Sequence, residues 1–270
     1  MEIYNKIKEF IIKNKTLINN NEWEEIYKKA RKDLGNSISD FTDILLNANI
    51  HPEYYLTELP ANFLKYSNIE KFVIPNNVKI IGKCAFFGCS NLTSVIIPNS
   101  VTSIGDEAFS SCDSLTSVVI PNSITTIGSY AFEYCSDLTS VVIPDSVTTI
   151  GLGVFSNCDS LSSVVLPDSV TNIDEAAFYD CSSLTSIVIP DGVTNIGRIA
   201  FSNCISLTSI SIPDSVTFIG EGAFSNCGDK LVINYTGTKD QWKKIYRVDN
   251  FLLTYFTVNC TDGKIVEKKR

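Results

Sequence analysis

Histidine, methionine and tryptophan are nearly absent from the 270-residue chain, which contains one, one and two of them, respectively. A catalytic site built on an imidazole would have to use His51, which precedes Pro52 and belongs to no serine- or cysteine-nucleophile motif. The sequence also lacks a glycine-rich phosphate loop, an H-E-x-x-H motif and an EF-hand loop. These absences predict that the protein is not an enzyme and uses no cofactor.

Long apolar segments are missing as well. No stretch reaches 18 consecutive apolar residues, so the sequence predicts neither a transmembrane helix nor insertion into a membrane. The first residues, from Met1 to Lys6, lead into a segment where charges interrupt every short apolar run, unlike the apolar region of a signal peptide. The expected location is cytoplasmic by default, or the cell surface if a leader has been trimmed from the chain.

Basic residues are scarce in the middle of the chain. Residues 74–227 contain three of them, Lys79, Lys83 and Arg198, against fourteen acidic residues, which gives a net charge of -11. Residues 228–270 have the opposite balance, with nine basic and five acidic residues. Because a segment of such negative charge repels phosphate groups, we expect no nucleic-acid partner for it.

The dominant feature of the sequence is an internal repeat of 23 residues, a period typical of solenoids. Four columns recur at this spacing over seven repeats: an Ile or Leu before a proline, an Ile, a Phe and a Cys. The phenylalanine column consists of residues 86, 109, 132, 155, 178, 201 and 224, and the cysteine follows three residues later in each repeat. One such unit cannot bury its own apolar face, so the repeats are expected to stack.

Each repeat predicts two short strands and a turn. From Leu92, the pattern Leu-x-x-Val-x-Ile is rich in β-branched residues and is typical of a strand, which Pro98 ends. Residues 101–104 predict a second short extended segment. The motif Ala-Phe-x-x-Cys at 108–112 predicts a single helical or 3₁₀ turn that places its phenylalanine in the core. Neighbouring strands are expected to pair in parallel, about 4.8 Å apart.

A degenerate copy precedes the seven clear repeats. In residues 51–73, Phe63 and Ile69 are predicted to keep the Phe and Leu columns, whereas Tyr66 takes the place of the cysteine. Including this copy, the predicted array spans residues 51–234 and has one degenerate and seven clear repeats.

The two ends are predicted to cap the array, because an uncapped solenoid exposes apolar surface. Residues 1–50 contain three segments with apolar residues at helical spacing, which predict a helical N-terminal cap. A separate partner-binding or oligomerisation domain is the alternative. In residues 235–270, Thr238 is expected to cap a short helix and Asp262-Gly263 to form a hairpin turn, so we predict a small helix-plus-hairpin cap.

The pattern Ile-Pro-x-x-Val-x-x-Ile-Gly-x-x-Ala-Phe-x-x-Cys-x-x-Leu-x-x-Val closely resembles that of the BspA-like leucine-rich repeat family. The resemblance is strong over residues 74–227 and weak over 51–73, and residues 235–242 and 258–263 are similar to the segment that often closes such arrays. It implies an α/β repeat solenoid, a right-handed coil with parallel β-strands on its concave face. It also implies a recognition module, since the best-known members of the family are adhesins.

The cysteine column is interpreted as a row of buried free thiols. Disulfides between neighbouring coils and a zinc site are the alternatives, but the column has an odd number of members, and Cys84 and Cys89 have no second pair at zinc-finger spacing. An Asn and Asp column after the prolines is interpreted as turn residues, with a weak cation track as the alternative. No metal site is therefore predicted. The Asn and Asp column consists of Asn76, Asn99, Asn122, Asp145, Asp168, Asp191 and Asp214.

The candidate binding site is the outward side of the Leu-x-x-Val-x-Ile strands. The first, fourth and sixth residues are expected to point inward, so the third and fifth form the concave surface. These positions hold a serine column and a largely aliphatic column, which a soluble protein seldom leaves unused, although β-propensity alone would also explain it. The columns are Ser94, Ser117, Ser140, Ser163, Ser186 and Ser209, and Ile96, Val119, Val142, Val165, Val188 and Ser211.

The predicted function is a non-catalytic protein-recognition module that binds a protein partner on this concave face, with adhesion as the role that the family resemblance implies. A glycan- or small-ligand-binding module and a structural, self-assembling element are the alternatives. The strand face offers Ser and Val rather than the aromatic residues on which sugars stack, which argues against a glycan. The protein is expected to be a monomer or a weak homo-oligomer.

Overall fold

A computed structural model describes residues 57–228, 231–247 and 255–268 of the chain. Within these ranges the chain forms a solenoid of stacked coils, one coil for each 23-residue repeat, and neighbouring coils are joined by parallel strand pairs. The three helices predicted within residues 1–50 lie outside the described residues.

The first strand of each coil belongs to a set of longer parallel strands, the long-strand sheet. Each strand pairs with its counterpart one repeat away, as Ser140 does with Ser163, so the register follows the period of the sequence. The strands are β2 (Lys71–Val73), β4 (Ser94–Ile96), β6 (Ser117–Val118), β8 (Ser140–Val142), β10 (Ser163–Val165), β12 (Ser186–Val188), β14 (Ser209–Ile212), β16 (Val232–Tyr235), β18 (Tyr255–Cys260) and β19 (Gly263–Lys268). The even-numbered strands from β2 to β10 pair in succession as one group, and those from β12 to β18 pair in succession as a second group. Strand β19 is added to the second group in antiparallel orientation.

The second strand of each coil belongs to the short-strand sheet, whose members have two residues each. In most of them an exposed or half-buried polar residue precedes a buried isoleucine, such as Thr149 before Ile150. The strands are β1 (Glu58–Leu59), β3 (Ile80–Ile81), β5 (Ser103–Ile104), β7 (Thr126–Ile127), β9 (Thr149–Ile150), β11 (Asn172–Ile173), β13 (Asn195–Ile196), β15 (Phe218–Ile219) and β17 (Tyr246–Arg247).

The third side of each coil, the turn segment, consists of turns, and the predicted helical or 3₁₀ turn is wrong. The Phe109 N–H donates to the Ala131 carbonyl of the next coil at 2.8 Å, and Glu107 and Ser111 donate to that coil in the same way. Glu107 and Ser111 have positive φ angles of 55° and 58°, which a continuous right-handed helix excludes. Alternate N–H groups therefore bind the next coil instead of their own.

The interior is filled by the repeat columns. Consecutive phenylalanines from Phe86 to Phe224 are fully buried and stack with ring centroids 5.0–5.6 Å apart and nearly parallel planes. Offset stacking of this kind adds about 0.5–1.5 kcal/mol per pair to the burial of the rings. The core is thus one continuous row through all coils, with the Ile, Leu and Cys columns packed around it.

The degenerate first coil is aligned differently from the prediction. Tyr66 donates its N–H to the Phe87 carbonyl and is 57% exposed, so it does not occupy the cysteine column. Ser67, which is 2% exposed, lies there instead, and Leu64 accepts the hydrogen bond from the Cys89 thiol that a column phenylalanine accepts in later coils. The coil is one residue short between Ser67 and Lys71, which shifts its earlier residues by one.

The C-terminal end is closed by a short helix and the last strands. Helix α1 (Lys239–Lys244) begins with the predicted Thr238 cap, which forms a capping box with Gln241. Trp242 of this helix is fully buried, with its ring centroid 5.2 Å from that of Tyr235. Strands β18 and β19 form the predicted hairpin, but its turn is Thr261-Asp262, one residue earlier than predicted, and Gly263 belongs to β19.

The class label α/β is wrong for the described residues, because α1 is the one helix that they contain. They form a parallel-strand β-solenoid of the leucine-rich-repeat type. The helix at the C-terminal end is limited to these six residues, and β18 and β19 contribute twelve strand residues there.

Candidate functional site

The outward-facing side chains of the long-strand sheet, the strand face, form the candidate functional site. In the coil of β6, Leu115, Val118 and Ile120 are buried, whereas Ser117 and Val119 are exposed, which is the expected alternation. The fifth-position residues Ile96, Val119, Val142, Val165 and Val188 expose 57, 79, 62, 53 and 68% of their surface. Five adjacent coils therefore present large aliphatic side chains to solvent.

The exposed column begins one coil earlier than the sequence reasoning placed it. Val73 is 63% exposed and pairs in register with Ile96. The signal that could have found it was the period itself, because Val73 stands 23 residues before Ile96. We call the six residues the aliphatic stripe: Val73, Ile96, Val119, Val142, Val165 and Val188.

The stripe ends in polar residues toward the C-terminus. Ser211 is half-buried, and in the next coils Asn234 and Asn259 continue its column. The Asn259 side-chain amide donates to the Asn234 side-chain oxygen at 2.8 Å, and that of Asn234 donates to the Ser209 hydroxyl at 3.2 Å. The predicted site residues Ser209 and Ser211 therefore lie between the last coil of the stripe and a short amide ladder.

Small hydroxyls lie beside the stripe. The third-position serines of the four middle coils are exposed, and Ser94 and Ser209 are half-buried. The residue before each serine is mostly threonine, whose hydroxyl binds the preceding coil; that of Thr139, for example, donates to the Thr116 carbonyl at 3.3 Å. The stripe is thus flanked on this side by polar, uncharged groups, except in the first coil, where the exposed Lys71 takes the place of the serine. The four exposed serines are Ser117, Ser140, Ser163 and Ser186.

An open groove of about 600 Å³ lies at the N-terminal end of the stripe. Val73 and Ile96 line it together with Asn76, Asn99 and Ser100. The Ser100 hydroxyl is buried and has no hydrogen-bond partner among the described residues. In other coils the corresponding serine donates to the coil before it at about 2.7 Å. The groove therefore combines two stripe residues with an unused hydroxyl.

Exposed aspartates follow the carboxyl ends of the strands. Four consecutive coils place one there, three residues beyond the fifth strand position, and we call them the carboxyl-end row. No group of three His, Cys, Asp or Glu side chains that could hold a metal ion occurs among the described residues. The carboxyl-end row consists of Asp145, Asp168, Asp191 and Asp214.

A second group of aspartates precedes the strands, and we call it the amino-end group: Asp113, Asp137, Asp159 and Asp180. Burial, followed by repulsion from Asp137, raises the pKa of Asp113 above its ordinary value. Burial, followed by repulsion from Asp159, raises the pKa of Asp180 in the same way. Carboxylates of neighbouring coils are therefore close enough to repel one another.

The two cations of the array that form ion pairs lie on its turn segments. Lys83 Nζ is 3.3 Å from Glu107 Oε1, and the Arg198 guanidinium is 2.6 Å from Glu175 and 3.9 Å from Glu221. No ion pair within the described ranges involves an aspartate of the carboxyl-end row or the amino-end group. The acidic groups at the two strand ends therefore remain without a counter-charge from these residues.

The column cysteines are buried and lie away from the strand face. Each thiol donates to a backbone carbonyl of the preceding coil; that of Cys158 reaches the Phe132 oxygen at 3.2 Å. Burial raises the pKa of the Cys89 and Cys227 thiols to about 12. A thiol that stays protonated is a poor nucleophile, so these side chains are suited to packing rather than chemistry.

Family comparison agrees with this architecture. Residues 57–184 and 173–239 match the family described as BspA type leucine rich repeat region (6 copies). The matched residues span more than half of the chain, which therefore belongs to this family. The match is to a repeat scaffold and indicates no catalytic family. No curated protein matches the chain.

Solved structures show the same relationship. A leucine rich cell surface protein from Faecalibacterium prausnitzii A2-165 is 31% identical, with the match covering 68% of this chain and 61% of that one, at a TM-score of 0.56. A leucine-rich repeat protein from Bacteroides ovatus ATCC 8483 is 31% identical, with the match covering 66% of this chain and 51% of that one, at a TM-score of 0.54. One from Eubacterium ventriosum ATCC 27560 is 27% identical, with the match covering 74% of this chain and 48% of that one, at a TM-score of 0.56. The chain thus spans between about half and three fifths of these structures.

Among its described residues, no helix has the length and hydropathy needed to cross a bilayer.

Proposed function

We propose that the protein is a non-catalytic recognition module that binds a protein partner through its strand face. The observation that carries the proposal is the aliphatic stripe, whose six members are 53–79% exposed. At about 4.8 Å per coil, the stripe is about 24 Å long. An apolar surface of this length gains about 25 cal/mol for each Å² that a partner removes from water.

The arrangement of the described coils favours a protein partner over the alternatives. Large exposed aromatic side chains, such as Tyr66 and Tyr134, lie on turn segments and not on the strand face, which counts against a sugar stacked there. In this proposal residues 51–234 are the binding array and residues 235–270 close it. Adhesion, which the family resemblance implies and which fits the cell surface protein of F. prausnitzii, is part of the same proposal.

The test compares the chain with two double variants in capture from a cell extract. V142K/V165K places two charges on the stripe, and T126K/T149K places two on exposed positions of the short-strand sheet, also one coil apart. We expect proteins that are retained by the wild type and by T126K/T149K to be reduced at least tenfold on V142K/V165K. Thermal unfolding of all three should agree within a few degrees, because all four side chains are exposed.

Two outcomes would contradict the proposal. Equal retention by V142K/V165K would show that recognition uses another surface. Unfolding of V142K/V165K alone would show that Val142 and Val165 contribute to the core. The uncharged variant V142T/V165T separates loss of apolar surface from added charge, and we expect it to weaken retention as well.

A further inference from the structure

The aliphatic stripe is bordered by carboxylates at both ends of its strands. On one side, the carboxyl-end row begins three residues after the stripe position, as Asp145 follows Val142. On the other, Asp113 lies four residues before the strand that starts at Ser117. Three or four residues span at most about 10–14 Å of chain, so all members of the two groups except Asp180, which lies six residues before its strand, are within reach of anything seated on the stripe.

These carboxylates are available for binding. All members of the two groups except the half-buried Asp180 are exposed, and none of them forms an ion pair among the described residues. By contrast, the turn-segment glutamates Glu107, Glu175 and Glu221 form ion pairs with Lys83 and Arg198. Of the eleven carboxylates in residues 74–227 that form no ion pair among the described residues, eight belong to the two groups at the strand ends, and three lie on the turn segments.

The sign of this charge discriminates between classes of partner. The Debye length is about 8 Å at physiological ionic strength, so these charges act on the parts of a docked partner that extend beyond the stripe toward them. Nucleic acids and anionic lipid headgroups would be repelled. A second copy docking stripe to stripe would bring two like-charged borders together, which costs binding energy.

We infer that the partner docks with a basic polypeptide segment, which places aliphatic side chains on the stripe and lysine or arginine side chains toward the aspartates on its flanks. This inference rests on the proposed function of the strand face. It adds the charge of the partner, which the apolar contacts alone leave open.

The sequence itself supplies a conservative way to remove the charge. Asn occupies the position of the carboxyl-end row in the first three coils, at Asn76, Asn99 and Asn122, and is exposed there. The variant D145N/D168N/D191N therefore copies a residue that the fold already accepts at this position. The matched control is E107Q/E175Q/E221Q, which removes the same number of carboxylates from the turn segments.

The probe is a library of random twelve-residue peptides displayed on phage and selected on the full-length chain. We expect the recovered peptides to be net positive, to contain aliphatic residues and to lose binding to V142T/V165T. Their affinity should fall about tenfold on D145N/D168N/D191N and stay within twofold on E107Q/E175Q/E221Q. Raising NaCl from 0.05 to 0.5 M should weaken binding about tenfold.

The possible failures are distinguishable. Peptides that depend on Val142 and Val165, but are neutral or acidic or bind D145N/D168N/D191N unchanged, overturn the inference on charge and leave the strand-face function standing. An equal fall on both charge variants also overturns it, because the attraction would then be non-specific. A selection that yields no peptide dependent on the two valines counts against the strand face itself.

Discussion

Within each coil, the cysteine column combines small size with a hydrogen-bond donor. The Cys135 thiol is fully buried and donates to the Phe109 carbonyl, which already accepts the Cys112 N–H of its own coil. The first coil meets the same need with Ser67, another small side chain that carries a donor. Cysteine therefore suits this column because it fits between the coils and donates a hydrogen bond, and a redox role is not needed to explain it.

A second serine column, two residues after the prolines, provides a residue-scale prediction at the repeat where glycine replaces the serine. Ser169 and Ser215 donate to a carbonyl of the preceding coil at 2.7 Å, but Gly192 stands in the coil between them. A Cβ on Gly192 would lie 3.1 Å from the carbonyl oxygens of Asp168 and Val170, which is tight. We expect G192S to be more stable than G192A by about 1 kcal/mol, because only serine adds the hydrogen bond.

Thermal and urea unfolding of wild type, G192S and G192A check this order. If G192A equalled or exceeded G192S, the serine hydroxyls would not stabilise the stack. The sequence pattern alone does not indicate a role for this Ser and Gly column. The hydrogen bonds that give it a purpose are visible only in three dimensions.

At the scale of elements, the strands were predictable and the turn segment was not. Strand register followed from the 23-residue period, because residues such as Val118 and Ile120 repeat on the same face in every coil. In the turn segment, Ile199 has a φ of 48°, although a β-branched residue disfavours that region. Its backbone is held by a hydrogen bond to the next coil, a long-range contact that local propensity does not reveal.

The misplaced first coil has a related cause. Because the first coil is one residue short after Ser67, the columns after this point keep the 23-residue spacing, whereas those before it are displaced by one residue. Phe63 and Tyr66, which both precede the break, still stand 23 residues before a column phenylalanine and a column cysteine, which suggests the wrong alignment. The stripe residue Val73 lies after the break and keeps the period.

The closing elements should be essential for solubility. Strand β18 pairs with β16 and β17 pairs with β15, so both sheets end on this segment. Removing residues 236–270 would expose two rows of unpaired backbone groups and the core beside Tyr235, and exposed edges of this kind associate. We expect the shortened chain to aggregate, as measured by light scattering.

The variant T238A is the matched comparison, since it weakens only the cap of α1 and should cost about 1 kcal/mol without aggregation. A truncated chain that stayed monomeric and unfolded cooperatively would show that these residues do not act as a cap.

At the scale of the whole molecule, the thiols predict a sensitivity to alkali. Burial raises the pKa of each column thiol above its ordinary value of 9.0, to about 12 for Cys89 and Cys227. The folded state therefore keeps protons that the unfolded chain releases. Stability is complete below about pH 9 and is lost as the pH rises toward 12, by about 1.4 kcal/mol per pH unit for each thiol.

Because seven thiols act together, the urea midpoint should be flat from pH 7 to 8 and fall steeply above pH 9. The variant C158S has one column thiol fewer, so its stability should fall with pH less steeply by about 1.4 kcal/mol per unit. An identical pH dependence in both proteins would show that lysines and tyrosines cause the loss instead. The difference between the two slopes isolates the thiol contribution.

The uniform register has a consequence for the history and engineering of the chain. Since each interior coil meets its neighbours through the same columns, a coil can be duplicated or deleted by in-frame recombination without creating a new kind of interface. Inserting one more 23-residue unit at the boundary after Pro144 should lengthen both the stripe and its acidic borders by one step. Among the described residues, the shortened first coil and the C-terminal segment with α1 and the hairpin depart from this pattern, so they mark the two ends of the regular repeats.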